Sequence, residues 1–357
     1  MKMYGIEKSV LLISKSGTEA NIRHMADKVK AKGLNFRPHF KTHQSYETAG
    51  IFKKHGIEKI AVSNIDMAYH FMNAGFKDIC LAIPFNPLQA YHLKNLSSKS
   101  RFCITIDSPQ HLDLYNEHCT NSTDVMIKID TGYHRTGVNS GNTSEIMDII
   151  KKINWQSRLH FKGFLVHNGQ TYQAASRKEI ANIHMDSLQK LQILKSRFSE
   201  FSPYISIGDT PSASICEEFG PVDELRPGNF VYYDYMQYQL GACRLDDIAC
   251  HVIAPVISVH PDRREVILHC GAVHLSKESL YSNGHLHFGE AMRISREGEI
   301  QTFSPPAFVT KLSQEHGTVR FSGQEAETFL PGDLLAIIPV HSCLTVNLMK
   351  HNSLYID

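Results

Sequence analysis

The sequence has no long apolar run, no excess of one charge and no closely spaced pair of cysteines. Its 37 lysines and arginines balance 36 aspartates and glutamates, so we expect neither nucleic acid nor an anionic membrane as a partner. No segment is apolar enough for long enough to span a bilayer, and the first residues are too polar for a signal peptide. These absences predict a cytoplasmic protein that works away from membranes.

The cysteines and histidines give little on their own. The eight cysteines contain no CxxC pair, and Cys80 and Cys103 fall inside apolar strand-like runs, where a buried reduced thiol is the usual state. We therefore expect no structural disulfides. With 21 histidines in the chain, two that are close in sequence are weak evidence for a metal site.

The length of 357 residues favours two domains. From Phe36 onward, short apolar runs alternate with helix-compatible segments, and no glycine-rich dinucleotide fingerprint follows any of the runs. This rhythm predicts a (β/α)₈ TIM-type barrel over residues 17–239 rather than a doubly wound sheet. The eight predicted strands are 36–43, 60–63, 79–83, 102–106, 125–129, 161–166, 204–207 and 230–233.

The pattern changes after about Gln239. Short strand-like runs are then divided by turn signals such as Pro261-Asp262 and Pro331-Gly332-Asp333, which predicts an antiparallel β domain over residues 240–357. The apolar run at residues 9–14 has no partner in the barrel pattern. We therefore assign residues 1–16 to the β domain as well.

The segment at residues 36–43 is unusually basic. If it is extended, then Arg37, His39, Lys41 and His43 project to one side. One interpretation is a solvated strand face. The other is that neighbouring positive charges disfavour the ammonium form of Lys41 and leave it a nucleophilic amine able to form a Schiff base.

The predicted strand ends favour the second interpretation, because a barrel carries its functional residues there. Gly208-Asp209-Thr210-Pro211 stands where strand seven turns into a helix, and Arg226-Pro227-Gly228-Asn229 precedes the predicted strand eight. Loops at these positions commonly bind phosphate in this fold. A phosphate site together with a reactive lysine suggests pyridoxal 5'-phosphate as the cofactor.

Several motifs in order resemble the fold-type III pyridoxal-phosphate enzymes, in the D-serine dehydratase and D-threonine aldolase branch, with an alanine racemase-like barrel. They are Arg37–His43, the run from Lys128 to Gly137, the run from His167 to Tyr172, the Gly208–Pro211 loop and the Glu224–Asn229 segment. The resemblance covers nearly the whole chain. It implies a barrel plus a β domain that also takes the first strand, paired as a homodimer.

The same resemblance implies roles for individual residues. Lys41 would be the Schiff-base lysine. The other cofactor residues would be Arg135 near the ring oxygen, His167 and Tyr172 along the ring, and Gly208, Thr210, Gly228 and Asn229 at the phosphate.

The resemblance also implies a metal site near the C-terminus. His341 and Cys343, two apart and predicted to share one face of a strand, would bind a divalent metal, with zinc preferred by an imidazole and a thiolate. Without the resemblance, two such residues would more often be core positions. Glu315 and His316 are either substrate-side residues or ordinary turn residues.

The function implied is a lyase for a D-3-hydroxy amino acid. D-Serine dehydratase is the first reading, with D-threo-3-hydroxyaspartate dehydratase as a close variant and D-threonine aldolase as the alternative. An amino-acid racemase is less favoured, because it needs a second base that we cannot identify in the sequence. A non-enzymatic pyridoxal-phosphate carrier is disfavoured by the β domain and the His-x-Cys pair.

Overall fold

A computed structural model describes residues 5–118, 121–282, 284–295 and 297–357. Residues 1–4 of the predicted β domain lie outside this range, as does Asn283 in the turn predicted from Ser282-Asn283-Gly284. The first half of the chain alternates strands and helices: β1 Val10–Ser14, α1 Lys15–Ala31, β2 Asn35–Phe36, α2 Tyr46–Lys54, β3 Lys59–Val62, α3 Ile65–Asn73, β4 Asp78–Pro84, α4 Ala90–Lys99, β5 Arg101–Ile106, α5 Gln110–His118, β6 Thr123–Asp130, β7 Val138–Asn139, α6 Thr143–Asn154, β8 Leu159–Val166, α7 Arg177–Arg197, β9 Tyr204–Ile207, α8 Thr210–Ile215, β10 Glu224–Leu225 and α9 Tyr235–Gln239.

The second half is mostly strand. Its elements are β11 Cys250–His260, β12 Glu265–Leu268, α10 Ala272–Leu275, β13 Leu280–Ser282, β14 His285–His287, β15 Gly289–Ile294, β16 Ile300–Leu312, β17 Gly317–Arg320, β18 Leu334–Pro339, α11 Ser342–Met349 and β19 Ser353–Ile356. Among the helices of the described residues, none is long and apolar enough to cross a membrane.

The first half forms a parallel barrel. The hydrogen-bonded strand order is β2-β10-β9-β8-β6-β5-β4-β3, with β7 beside β6. An isolated β-bridge between His39 and Ala61 connects the segment after β2 to β3 and closes the barrel. Strands such as β6 are buried along most of their length because helices cover a parallel sheet from outside. The prediction of a (β/α)₈ barrel is confirmed.

Two of the predicted strands are wrong in detail. The eighth barrel strand is Glu224–Leu225, and the predicted strand at 230–233 begins inside a 3₁₀ turn over Asn229–Val231. The apolar side chains of Phe230 and Val231 are fully buried, so the run has the composition of a strand. Its backbone turns instead, because the amide of Tyr233 donates to the carbonyl of Asn229 and Tyr233 has a φ of 51°, which an extended chain does not allow.

The first barrel strand ends at Phe36, so the basic residues after it do not share one face. The Arg37 guanidinium is buried and bonds the carboxylates of Glu224, at 2.9 Å, and Asp78, at 2.7 Å. His43 packs against Phe40 and Phe52. The prediction that four basic side chains project to one side is therefore wrong. His39 is the one of them that remains next to Lys41.

The remaining strands form an eight-stranded sheet in the order β12-β17-β16-β15-β18-β11-β1-β19. β1 lies antiparallel to β11 and parallel to β19, so the first strand of the chain belongs to the sheet built by its last third. The confirmed fold thus includes a separate, mainly antiparallel second unit. The domain boundary between residues 239 and 240 stays a prediction.

We expect Glu224→Gln to destabilise the fold by about 3–5 kcal/mol, because it leaves the buried Arg37 charge without one of its two carboxylates. Denaturant unfolding measures the change. Asp113→Asn is the matched control, because this carboxylate is 57% exposed in its pair with Lys152 and such pairs contribute about 1 kcal/mol or less. Equal effects of the two substitutions would contradict the role given to the buried pair.

Candidate active site

A cavity of about 610 Å³ opens at the carboxyl ends of the barrel strands and is completed by loop and helix residues of the second unit. It gathers nine of the residues predicted from the sequence: Lys41, Arg135, His167, Tyr172, Gly208, Gly228, Asn229, His341 and Cys343. We call it the front cavity. Thr210 stands at its edge, where its backbone amide donates to the Tyr172 hydroxyl at 3.2 Å.

Lys41 follows the bridge that closes the barrel, so its position depends on the meeting of β2 and β3. Its side chain is exposed to the front cavity. The backbone amide of Lys41 donates to His39 Nδ1 at 3.3 Å. Burial, and then the charge of Lys41, hold the pKa of His39 well below its usual value. His39 is therefore a neutral neighbour of the amine.

His167 and Tyr172 lie on one wall of the front cavity, with ring centres 6.3 Å apart. The Nδ1–H of His167 bonds the carbonyl of Gly208. Burial and the nearby Lys128 lower the pKa of His167, so the ring is neutral. Burial also raises the pKa of Tyr172, which keeps its hydroxyl protonated. The wall is partly aromatic and uncharged, which suits a planar aromatic ligand.

The loops after β9 and β10 meet below this wall. The Phe230 amide donates to Thr210 Oγ1 at 3.3 Å, which ties one loop to the other. The Asn229 side chain donates to Asp234 at 2.6 Å and to Ser342 Oγ at 3.1 Å. Asn229 Oδ1 is buried, and no described residue pairs with it.

Gly228 is packed too closely for any side chain. A Cβ there would stand 2.9 Å from the carbonyl oxygen of His39, which is backbone and cannot rotate away. We expect Gly228→Ala to destabilise the fold by about 1–3 kcal/mol through this overlap, as measured by denaturant unfolding. Gly50→Ala, inside α2 with nothing within 4 Å, is the control and should stabilise by about 0.5–1 kcal/mol. A neutral Gly228→Ala would contradict the tight approach of the two loops.

Arg135 lines the front cavity beside Tyr133. Its guanidinium stands 4.9 Å from the centre of the Tyr133 ring, a distance at which a cation and an aromatic face attract each other. The interaction holds a positive charge at the cavity wall, where it is exposed to a ligand.

His341 and Cys343 do not share a strand face, contrary to the prediction. β18 ends at Pro339, and His341 is the residue that precedes α11. The helix begins there because Asp234 Oδ2 accepts from the Ser342 amide at 2.9 Å, as an N-terminal cap does. The change of direction brings both side chains to the front cavity.

The pair is suited to a metal ion. Burial acts to raise the pKa of Cys343, but the charge of His341 outweighs it and lowers that pKa. Burial acts to lower the pKa of His341, but the charge of the Cys343 sulfur raises it to about 9. His341 Nδ1 is buried without a partner among the described residues. Thr42 Oγ1 lies 3.2 Å from the sulfur. A stabilised thiolate beside a histidine is a zinc-type donor pair, and a metal ion that binds there would displace the imidazole proton. Within the described residues no cluster of three or more such donors occurs.

Glu315 and His316 are not brought to the front cavity. They lie in the turn between β16 and β17, where Glu315 is 3.9 Å from His269 Nε2 and His316 bonds Ser313. The possible contact of Glu315 and His316 with substrate stays a prediction, and their position in this turn, outside the front cavity, does not support it.

Lys128, Arg226 and Glu278 are among the lining residues that had no individual predicted role. Lys128 is buried, and burial together with the Arg226 charge lowers its pKa well below the usual value. A lone lysine inside the apolar strand β6 was the signal that could have found it. Arg226 bonds Ser206 Oγ at 2.7 Å inside the barrel. Glu278 comes from a loop of the second unit and has no sequence signal.

The model of the alanine racemase N-terminal domain matches residues 13–236, and that of a serine dehydratase domain matches residues 249–355. The first match covers more than half of the chain. The chain belongs to the alanine racemase N-terminal domain family. The resemblance seen in its motifs is thereby confirmed, and the matched residues include the strands of the barrel.

Curated relatives and solved structures extend the match over both units. The chain is 29% identical to "D-serine dehydratase" of Dictyostelium discoideum, over 94% of this chain and 90% of the relative. It is 28% identical to "D-threo-3-hydroxyaspartate dehydratase" of Delftia sp. (strain HT23), over 92% and 88%. The solved structure of the Delftia enzyme covers 97% of this chain and 94% of its own, with a TM-score of 0.88 and 23% identity. A variant of an enzyme with that name was solved "in the metal-free form".

Proposed function

We propose that this family member is a pyridoxal-phosphate- and metal-dependent lyase that removes water from a D-3-hydroxy amino acid, with D-serine or D-threo-3-hydroxyaspartate as substrate. The observation that carries the proposal is the front cavity itself. It places the lysine of the barrel and the His341–Cys343 pair around one space, with Thr42 in contact with the sulfur. The names of the two curated relatives support the same reaction.

The residues present fit the cofactor. Lys41 would hold it through its amine, His167 and Tyr172 would flank the ring, and Arg135 would meet the ring oxygen. The joined loops carry Gly208, Thr210, Gly228 and Asn229, which would hold the phosphate. When bound, the cofactor would supply an electron sink for the charge that develops at the substrate α-carbon.

His341 and Cys343 would hold a divalent metal, zinc by the preference of an imidazole and a thiolate. Bound there, it would supply positive charge for a β-hydroxyl, which is a poor leaving group in water. A barrel residue helps to position this pair, because the Asp234 carboxylate accepts a hydrogen bond from the amide at the start of α11. A structure of a relative described as metal-free supports metal binding in such enzymes.

The chain's own groups have distinct tasks in this reaction. Lys41 Nζ takes the α-proton, which requires the amine to be free of its own proton at that moment. His39 and His167, both neutral, add no charge that would compete with substrate. Arg135 places a positive charge on the cavity wall for a substrate carboxylate or the cofactor. The protonated Tyr172 holds the Thr210 loop in place.

Product identification tests the proposal. The holoenzyme is incubated with D-serine, D-threo-3-hydroxyaspartate and D-threonine, with L-serine as the stereochemical control. A keto acid and ammonia from a D-substrate are the expected products. Glycine and an aldehyde would establish the aldolase alternative instead, and L-serine formed from D-serine would establish a racemase.

We also propose a cytoplasmic homodimer. The seven cysteines of the described residues are free thiols, as in a reducing compartment. Sedimentation of the holoenzyme gives the assembly state, and a monomer at all concentrations would contradict the dimer.

A further inference from the structure

A second cavity, of about 540 Å³, lies behind the segment that carries Lys41. We call it the rear cavity. Lys41 lines the front cavity, whereas His43, Gln44 and Ser45 line the rear one. Its other walls come from β1, α3, α11 and β19. Nothing in the proposed reaction uses this space.

His43 brings an unpaired donor to the rear cavity. Burial lowers the pKa of His43 to about 3, so the ring is neutral. The Ser45 amide donates to Nδ1 at 3.1 Å, so the ring hydrogen is on Nε2. That N–H is buried and has no partner among the described residues. A buried donor without an acceptor costs stability, and an acceptor bound in the cavity would remove that cost.

Lys350 brings a positive charge. Its ammonium bonds the amide oxygens of Gln44, at 2.9 Å, and Asn347, at 3.5 Å. In the part of the chain that is described, no carboxylate forms an ion pair with it. Burial and then the Lys350 charge lower the pKa of His70, another lining residue, so His70 contributes no second charge. One ammonium is thus held by neutral amides at the cavity wall.

The rest of the lining limits the ligand's shape and charge. Leu11, Ile13 and Val346 are buried apolar residues, which suit a short hydrocarbon chain. Asp66 is an exposed residue of the lining, and its negative charge disfavours a ligand with two negative charges. We propose that the rear cavity binds a small aliphatic monocarboxylate, with its carboxylate on Lys350 and His43.

Gln44 connects this site to the front cavity. Its side-chain nitrogen donates to the carbonyl of Lys41 at 3.1 Å, while its oxygen accepts from Lys350. A carboxylate that takes the Lys350 ammonium competes with that oxygen. A ligand bound in the rear cavity therefore affects, through Gln44, the backbone that positions Lys41. The inference of a site holds whatever reaction the front cavity carries.

Calorimetric titration of the holoenzyme with butyrate tests the site, and butyramide, which has the same shape without the charge, is the control ligand. We expect butyrate to bind and butyramide to bind at least about tenfold more weakly. Lys350→Gln should weaken butyrate binding by about tenfold or more. Lys152→Gln, on α6 in an ion pair with Asp113, is the matched control and should leave it unchanged. Butyrate held in the front cavity would be insensitive to Lys350→Gln, so an unchanged affinity in that variant overturns the proposal.

A measurement on the unaltered chain covers the case in which Lys350→Gln does not fold. Butyrate should shift the imidazole nitrogen signals of His43 in nitrogen-15 spectra, since its Nε2–H gains an acceptor. His184, buried and bonded to the Glu218 carbonyl, is the reference that should not move. An unmoved His43 at saturating butyrate, or equal binding of butyramide, overturns the proposal.

Discussion

Lys41→Ala is expected to remove the activity, by about 10⁴-fold or more, and to abolish the visible absorbance that borohydride fixes to the protein. The reason is that Lys41 has two tasks, holding the cofactor and moving the α-proton, and the loss of a positioned base alone costs about 10²–10⁴-fold. The side chain is exposed to the front cavity, so its truncation should not disturb the core. Turnover of D-serine and the absorption spectrum are the measurements.

The control for Lys41→Ala is a small primary amine added to the medium, which should restore part of the rate by acting as the missing base. Lys190→Ala, on α7 and paired with Asp186, should leave both rate and spectrum unchanged. A Lys41→Ala protein that keeps a borohydride-reducible chromophore would place the cofactor on another lysine. Lys128, whose pKa burial lowers well below its usual value, would then be the first to examine.

Cys343→Ser is expected to lower metal content to near zero and to slow the dehydration by about 10²–10⁴-fold, because the hydroxyl is not a thiolate at neutral pH and leaves His341 as a lone ligand. Metal analysis after gel filtration and steady-state rates are the measurements. The absorbance of the bound cofactor should remain, since the phosphate loops and Lys41 are intact. Chelation of the unaltered enzyme should reproduce the slow rate, and zinc should reverse it.

Cys216→Ser is a matched control for that substitution. Cys216 is a buried free thiol next to α8, outside the front cavity, so metal content should not change. A Cys343→Ser enzyme with full metal and full activity would show that the His341–Cys343 pair is a packing contact. Loss of the cofactor absorbance in Cys343→Ser would instead mean that the sulfur positions Asn229, which lies 3.6 Å from it.

The barrel was predictable because its strands are short, apolar and separated by helical periodicity. Strand eight was misplaced because Phe230 and Val231 are as apolar as a strand but pack as a turn. The real strand contains Glu224, a buried carboxylate whose partner Arg37 is 187 residues away in sequence. A local pattern cannot reveal that pairing, since the charge is acceptable only with its distant partner.

The same limit applies to the candidate site. The places of Lys41 and of the Gly208 and Gly228 loops at the front cavity could be predicted because they follow barrel strands, and the fold gathers such segments at one end. The local backbone geometry of His341 and Cys343 could not be predicted, because Pro339-Val340 continues the apolar pattern of β18 and hides the start of α11. That start depends on Asp234, more than a hundred residues earlier. Glu278 and the rear cavity likewise depend on contacts between distant parts of the chain.

The closure of the barrel sets an order of events during synthesis. Phe36 pairs with Leu225, so the first strand waits for nearly two hundred further residues before the circle can close. Such distant pairings form late in folding. Until then Lys41 stands at the open edge of an incomplete sheet, and unpaired edges invite association with other chains. A nascent chain that stalls before β10 therefore lacks one wall of the front cavity, and it exposes an aggregation-prone edge close to Lys41.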